Sequence, residues 1–256
     1  KNSVVSTRFT LAELDAKARD ATPLGVQQLR CEYLVNPLAI DCPQPRLSWV
    51  LQSTVRGQRQ TAYRVLVASS EEKLAGNEGD LWDSGRVASD ATVQVTYAGK
   101  PLESCTRCYW KVQVWDKDGQ PSAWSEPACW AMGLRQASDW KAQWLAWPEA
   151  VANRSQTPLP ATMFRKEFAL KSPIRRATVH VTARGLYELR INGRRVGDHL
   201  LAPEWTEYDR RVQYQAYDVT DLLQTGDNAI GAVIGDGWFA GRIGGMGRYN
   251  YGDFLQ

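Results

Sequence analysis

Histidine is almost missing from this sequence: among 256 residues only His180 and His199 carry an imidazole. That scarcity excludes a histidine-rich metal site and two independent histidine-based centres. A Ser-His-Asp hydrolase has no support either, because no Gly-x-Ser-x-Gly elbow accompanies the two histidines. Charge of one sign is also scarce. A net charge of +3, from 31 basic and 28 acidic residues, gives too weak a field for a dedicated nucleic-acid binder. No apolar run approaches the roughly 20 residues of a membrane helix. Cysteine is sparse and odd in number, at Cys31, Cys42, Cys105, Cys108 and Cys129, so at least one thiol lacks a partner within the chain. Cys105 and Cys108 have metal-ligand spacing, but no second pair or nearby histidine completes four ligands. They read as small residues in a loop before a strand.

What is present is ordinary in bulk and unusual in its aromatics. Hydrophobic residues make up 43% and charged residues 23%, values of a globular chain able to bury a core without staples. Against 5 Phe stand 11 Trp and 10 Tyr. Aromatics with a polar handle suit half-buried strands and sugar-facing surfaces better than plain cores.

Residues 9–21 (FTLAELDAKARDA) are the one clear helical stretch, with Leu11, Leu14 and Ala18 near helical spacing. From Leu29 onward the period is two. Arg64–Ala68 reads as a strand. Trp110, Val112 and Val114 alternate with Lys111, Gln113 and Trp115, the pattern of a half-buried strand. Asp116-Lys-Asp-Gly119 then makes an acidic, glycine-containing turn. About 100 residues of short strands and turns, Gly25 to Gly133, fit a β-sandwich. Residues 135–160 lose the period; their Pro-bearing stretch 148–160 is the best boundary. Alternation returns at Thr178–Ala183 and Tyr187–Ile191. Asn192-Gly193 is a hairpin signal, because both turn residues need positive φ. Further strands are expected over 212–217 and 228–234. The predicted organisation is therefore all-β. A short N-terminal helix lies in 1–23, a fibronectin-III/immunoglobulin-like sandwich in 24–134, a linker in 135–160 and a jelly roll in 161–256. The jelly roll is expected to be incomplete, since such a fold needs about eight strands and only four or five are counted.

The stretch 235–252 (GDGWFAGRIGGMGRYNYG) is the richest in site-like residues; seven of its 18 residues are glycine. Glycine lets the backbone approach a ligand, and Asp236, Trp238, Arg242 and Tyr251 offer the aromatic faces and planar polar groups that sugars meet. Trp205, in the cluster Ala202–Arg211, joins these sugar-contact candidates. The alternative is a long ordered connection whose Trp238 and Tyr251 pack on the domain's own sheet or on a neighbour. Glu204, Glu207 and Asp209 beside aromatics raise a glycosidase acid/base pair, but proximity in sequence does not set the required carboxyl separation; a solvated loop is the simpler reading. Asp198, Asp236 and Asn192 lack the spacing of a calcium loop. No metal or cofactor is expected.

Taken in order, several runs resemble the bacterial α-L-rhamnosidases. Leu29–Asp41 (LRCEYLVNPLAID), Pro45–Trp49 (PRLSW), Gln60–Tyr63, Leu81–Gly85 (LWDSG), Tyr109–Asp116 (YWKVQVWD) and Trp124-Ser125 are similar to the fibronectin-type-III-like domain that opens such enzymes. Gly185–Gly193 (GLYELRING), Trp205–Tyr208, Tyr217–Thr220 and Gly235–Trp238 with Gly241-Arg242 are similar to the jelly-roll N-domain that follows. The resemblance covers 24–256. It implies hydrolysis of terminal α-L-rhamnose from glycosides with inversion, by acidic residues on an (α/α)6 barrel C-terminal to both β-domains. No barrel is present in this sequence, so no catalytic residue is carried over and the chain alone is expected to be inactive. Asp236, Trp238 and Arg242 match the N-domain's Gly-Asp-Gly-Trp motif. The expected partners are rhamnose-containing glycosides, the catalytic domain and a second copy of the chain, with no nucleic acid and no membrane span. Lys1 in place of Met, together with the segment ahead of the first sandwich, points to a periplasmic or secreted protein; the cytoplasm is the alternative. The rival function is a non-enzymatic carbohydrate-binding or adhesion protein built only of sandwiches.

Overall fold

The computed structural model describes residues 23–146, 160–241 and 251. The helix expected over 9–21, nearly all of 148–160, and Arg242 lie outside these residues. The chain divides into two compact units, Lys1–Asp139 and Trp140–Gln256.

Among its described residues, the first unit is a seven-stranded antiparallel sandwich. One sheet holds β1 (Gly25–Cys31), β2 (Arg46–Gln52) and β5 (Val95–Thr96). The other holds β3 (Ala62–Ala68), β4 (Trp82–Asp83), β6 (Arg107–Trp115) and β7 (Ala128–Ala131), in the order β4-β3-β6-β7. The two sheets close on Leu47, Trp49, Val65, Val67, Cys108, Trp110, Val112, Val114 and Trp130. Trp49, Trp110 and Trp130 are among the largest fully buried side chains. The prevalence of tryptophan is thus partly a core property here, contrary to the surface role its polar handle suggests. Trp49 Nε1 meets Gln60 Oε1 at 3.0 Å, and the buried Gln60 donates in turn to the Ser89 and Ala91 carbonyls. The predicted turn forms: Asp116 Oδ1 accepts from the N–H groups of Asp118 and Gln120, and Gly119 takes φ +78°.

Part of the outer face of the second sheet is covered. A short helix α1 (Glu71–Ala75), capped by the Ser70 hydroxyl on Lys73 N–H, lays Leu74 on Leu66, Ala68 and Tyr109. β6 is therefore covered on both faces, and Lys111 is buried where alternation predicts an outward position. Asp80 holds the chain after α1: it accepts from Ser69 N–H at 2.8 Å, Ser69 Oγ at 2.7 Å and Lys73 Nζ at 2.7 Å. Burial alone would raise this carboxyl, but Lys73 and Ser69 outweigh it and hold it at about 2. A carboxyl depressed in the folded state stabilises above its unfolded value and loses that contribution as pH falls through the folded one. Asp80→Asn is therefore expected to unfold at lower urea than the parent at pH 7. The gap should close between the ordinary value of 3.8 and about 2; a pH-independent gap would refute the assignment.

The cysteines are free. Cys105 lies exposed in a turn at φ +60°, while Cys108 is buried in β6. Burial pushes the Cys108 thiol up to about 12 and also raises that of Cys31, which makes both poor nucleophiles.

The second unit contains six strands among its described residues, more than the sequence count. β8 (Thr162–Leu170), β10 (Leu186–Ile191), β11 (Arg194–Arg195) and β13 (Gly226–Gly235) form a sheet in the order β11-β10-β13-β8. β9 (Thr178–Val181) and β12 (Gln215–Asp218) form a two-stranded partner. β8 goes unnoticed in the sequence because Arg165-Lys-Glu167 interrupts its apolar residues; as an edge strand it tolerates those charges. The hairpin turn joins β10 to β11 with Asn192 at φ +50° and Gly193 at φ +80°. Asn192 also ties the sheet to the next loop, donating to Leu222 O and accepting from Ala229 N–H. Leu189, Ile191, Val196, Tyr217 and Val219 pack as one core cluster, and Ala183, Tyr208, Ile234, Phe239 and Ala240 as another.

Candidate functional site

β13 ends at Gly235, and the chain turns at once into α2 (Gly237–Ala240). Glycine is required at 237: φ is +54°, and a Cβ there would lie 2.7 Å from Leu186 Cγ. The turn aims Phe239 inward, where its ring meets Tyr208 edge-on at 5.2 Å. Trp238, next to it, is left half-buried.

A second segment reaches the same place from β11. Tyr187 N–H holds Ala202 O at 2.8 Å, and Tyr208 Oη donates to Glu204 O at 3.3 Å. Trp205 is thereby presented at the surface, 49% exposed. Its ring lies parallel to that of Trp238, with an interplanar angle of 9° and 6.2 Å between centroids. Tyr251 completes the group. Its N–H bonds Phe239 O, its ring meets Tyr208 at 5.1 Å, and its phenol oxygen accepts from Trp205 Nε1 at 3.2 Å. Tyr251 is 40% exposed.

Of the five sequence candidates, Trp205, Trp238 and Tyr251 thus meet in one cluster. Asp236 sits at the start of α2, where its side chain makes no capping bond. Arg242 lies outside the described residues. Sugar contact and packing are not exclusive: Tyr251 packs on Tyr208 of its own unit and remains 40% exposed.

Tyr208, which the sequence marks only as the end of the Trp205–Tyr208 run, and Arg184, which it does not single out, also belong to the cluster. Arg184 lies over Phe239, with Cζ 5.5 Å from the ring centroid, and over Trp144 at 5.2 Å. Its buried Nε has no hydrogen-bond partner. The only local signal for it is an arginine before glycine at a strand end. Apart from this cluster, Trp140 lies 5.8 Å from Tyr214, which also meets His180. Burial lowers the His180 pKa and keeps the ring neutral. His199 stacks edge-on against Tyr217 beside Asp198. Glu207 is drawn to Arg210 at 3.3 Å, as a solvated loop would have it. No group of three or more metal-ligating side chains occurs among the described residues. Chemically, two partly exposed indoles and a partly exposed phenol can offer aromatic surface to the C–H face of a sugar ring.

Two family models match the chain in order. Residues 26–136 match the Rha78A-like N-terminal immunoglobulin domain, and residues 172–256 match the α-L-rhamnosidase N-terminal domain. The chain belongs to the α-L-rhamnosidase family, whose N-terminal domains it carries. An α-L-rhamnosidase of Formosa agariphila is 38% identical over 239 residues, covering 87% of this chain and 25% of that protein. One from Streptomyces avermitilis is 28% identical, covering 90% of this chain and 38% of the relative. The solved α-L-rhamnosidase from Dictyoglumus thermophilum superposes on 84% of the chain with a TM-score of 0.77 and 40% identity; the match spans 25% of its own chain. The Streptomyces avermitilis α-L-rhamnosidase solved with L-rhamnose gives 0.82 at 27% identity, covering 91% of this chain and 38% of that one. The chain therefore spans a quarter to two-fifths of these rhamnosidases. The fold it shares with them is the pair of β-domains that the resemblance implies.

Proposed function

We propose that this chain supplies the N-terminal, non-catalytic domains of a protein that hydrolyses terminal α-L-rhamnose from glycosides, and that Trp205, Trp238 and Tyr251 contact the glycoside. The observation that carries the reading is the ordered match of both units to proteins named α-L-rhamnosidase. Inverting hydrolysis requires one carboxylic acid and one carboxylate about 6.5–9.5 Å apart across the scissile bond. The cluster described here is instead aromatic, and its chemistry is recognition. The purified 256-residue chain is expected not to turn over an aryl α-L-rhamnoside, whereas a protein continuing into the region that the relatives possess should do so. Turnover by the chain alone would overturn the assignment.

Contact with the sugar is tested separately. Titration with L-rhamnose should change tryptophan fluorescence saturably, and Trp238→Ala or Trp205→Ala should weaken binding about tenfold, equivalent to ~1.4 kcal/mol. A signal that survives both substitutions would place the sugar elsewhere.

A further inference from the structure

The first unit holds a cleft of about 530 Å³ on the α1 side of its four-stranded sheet, within the size range of small-molecule sites. Leu74, Tyr109, Trp124 and Pro127 form much of its wall, and among the described residues Lys111 is the only basic one that lines it. Lys111 is 8% exposed. Its Nζ donates to Asn77 Oδ1 at 2.7 Å and lies 5.0 Å from the centroid of the Trp124 ring. An ammonium has three donors; the described residues accept one. Among them no carboxylate pairs with Lys111. Glu71 lines the cleft from the exposed first turn of α1 and makes no ion pair with it. The other cation near Trp124, Arg64, is taken up by Asp83 through two bonds of 2.9 and 2.6 Å.

A buried charge without a counter-ion is costly, and an apolar residue at the same strand position would avoid that cost. The arrangement is explained if the counter-ion is a ligand. We propose that this cleft binds a small aromatic carboxylate, with the carboxylate on Lys111 Nζ and the ring against Tyr109 and Leu74. The wall chooses between ligand classes. Asn36, Glu71 and Ser125 bring polar side chains to the lining, but most of it is apolar, so a sugar acid would leave several of its hydroxyl groups against Leu74, Pro127 and Ala128 without partners, and unpaired buried hydroxyls are penalised. A flat aromatic ring leaves nothing unpaired against those apolar side chains, and the ligand's one carboxylate meets Lys111, the one basic side chain among the described residues that line the cleft.

Benzoate is the probe, measured by isothermal titration of the whole chain. One saturable site is expected, with acetate, benzyl alcohol and glucuronate each binding at least tenfold more weakly. Lys111→Met should lose tenfold or more of the benzoate affinity while unfolding no earlier than the parent, since it removes a buried charge. Lys111→Gln provides a second uncharged variant should Met disturb the strand. In the parent protein, nuclear Overhauser contacts are expected between benzoate ring protons and the Leu74 methyl groups. Trp205→Ala should leave benzoate binding unchanged, so failure here is separable from failure of the sugar reading. The proposal is overturned by absence of saturable heat, by glucuronate binding more tightly than benzoate, by undiminished affinity in both Lys111 variants, or by missing contacts to Leu74.

Discussion

Trp110→Ala is expected to lower the melting temperature of the first unit by about 15 °C or more, from a loss of about 3–5 kcal/mol for a buried aromatic truncated to alanine. Trp110 has no exposed surface, lies on the central strand β6 and meets Trp130 edge-on at 6.4 Å; Trp130 in turn meets Tyr97 at 5.8 Å. Alanine would leave a void between two sheets that are held apart by close-packed rings, and the strands cannot close over it without breaking their ladders. The indole N–H groups of Trp110 and Trp130 have no hydrogen-bond partner. Trp110→Phe should therefore cost much less than Trp110→Ala, because part of the lost packing is offset by removal of an unpaired donor. Trp205→Ala, at a half-exposed position, loses one ring stack and one hydrogen bond and should cost only about 1–2 kcal/mol. Differential scanning calorimetry reads all three. Equal effects for Trp110→Ala and Trp205→Ala would contradict the packing described.

Gly197→Ala should destabilise the second unit by about 2–4 kcal/mol, through backbone strain and overpacking together. Gly197 takes φ +68°, and an added Cβ would fall on the Tyr217 ring, 2.6 Å from Cδ1. Tyr217 cannot move freely. It is buried in the core of the unit, faces His199 and lies with its hydroxyl 3.3 Å from that of Tyr187. The Tyr187 phenol also donates to Gln215 Oε1 at 2.8 Å, so the disturbance would spread to the segment that carries Trp205. Gly193→Ala separates the two causes. Its φ is +80°, yet the space around it is open, so only the left-handed penalty of roughly 1–2 kcal/mol applies. Chemical denaturation monitored by near-ultraviolet dichroism would show the difference, and equal losses for the two variants would remove the clash from the argument.

Much of the fold was legible along the chain because strand periodicity and turn conformation are local. Two-residue alternation marks β3, β6 and β10, and the positive φ required at Asn192 and Gly193 marks the hairpin before any contact is known. Within the candidate site, the residue types were legible but their association was not. Trp205 and Tyr251 are separated by 46 positions, and only the turn at Gly237 and the anchored segment before Tyr208 bring them together. Arg184 carries no periodic signal; its place depends on Phe239 and Trp144.

By itself the sequence determined an all-β chain with two runs of strands, its main turns and its likeness to one family, since these follow from side-chain period and from residues with special backbone freedom. Tertiary structure alone decided which faces are dry. Lys111 alternates as an outward residue and is buried because α1 and Trp124 lie over it; Trp110 and Trp130 are core because a second sheet closes on them. Burial belongs to whatever packs against a strand from elsewhere in the chain, and no local pattern encodes that neighbour.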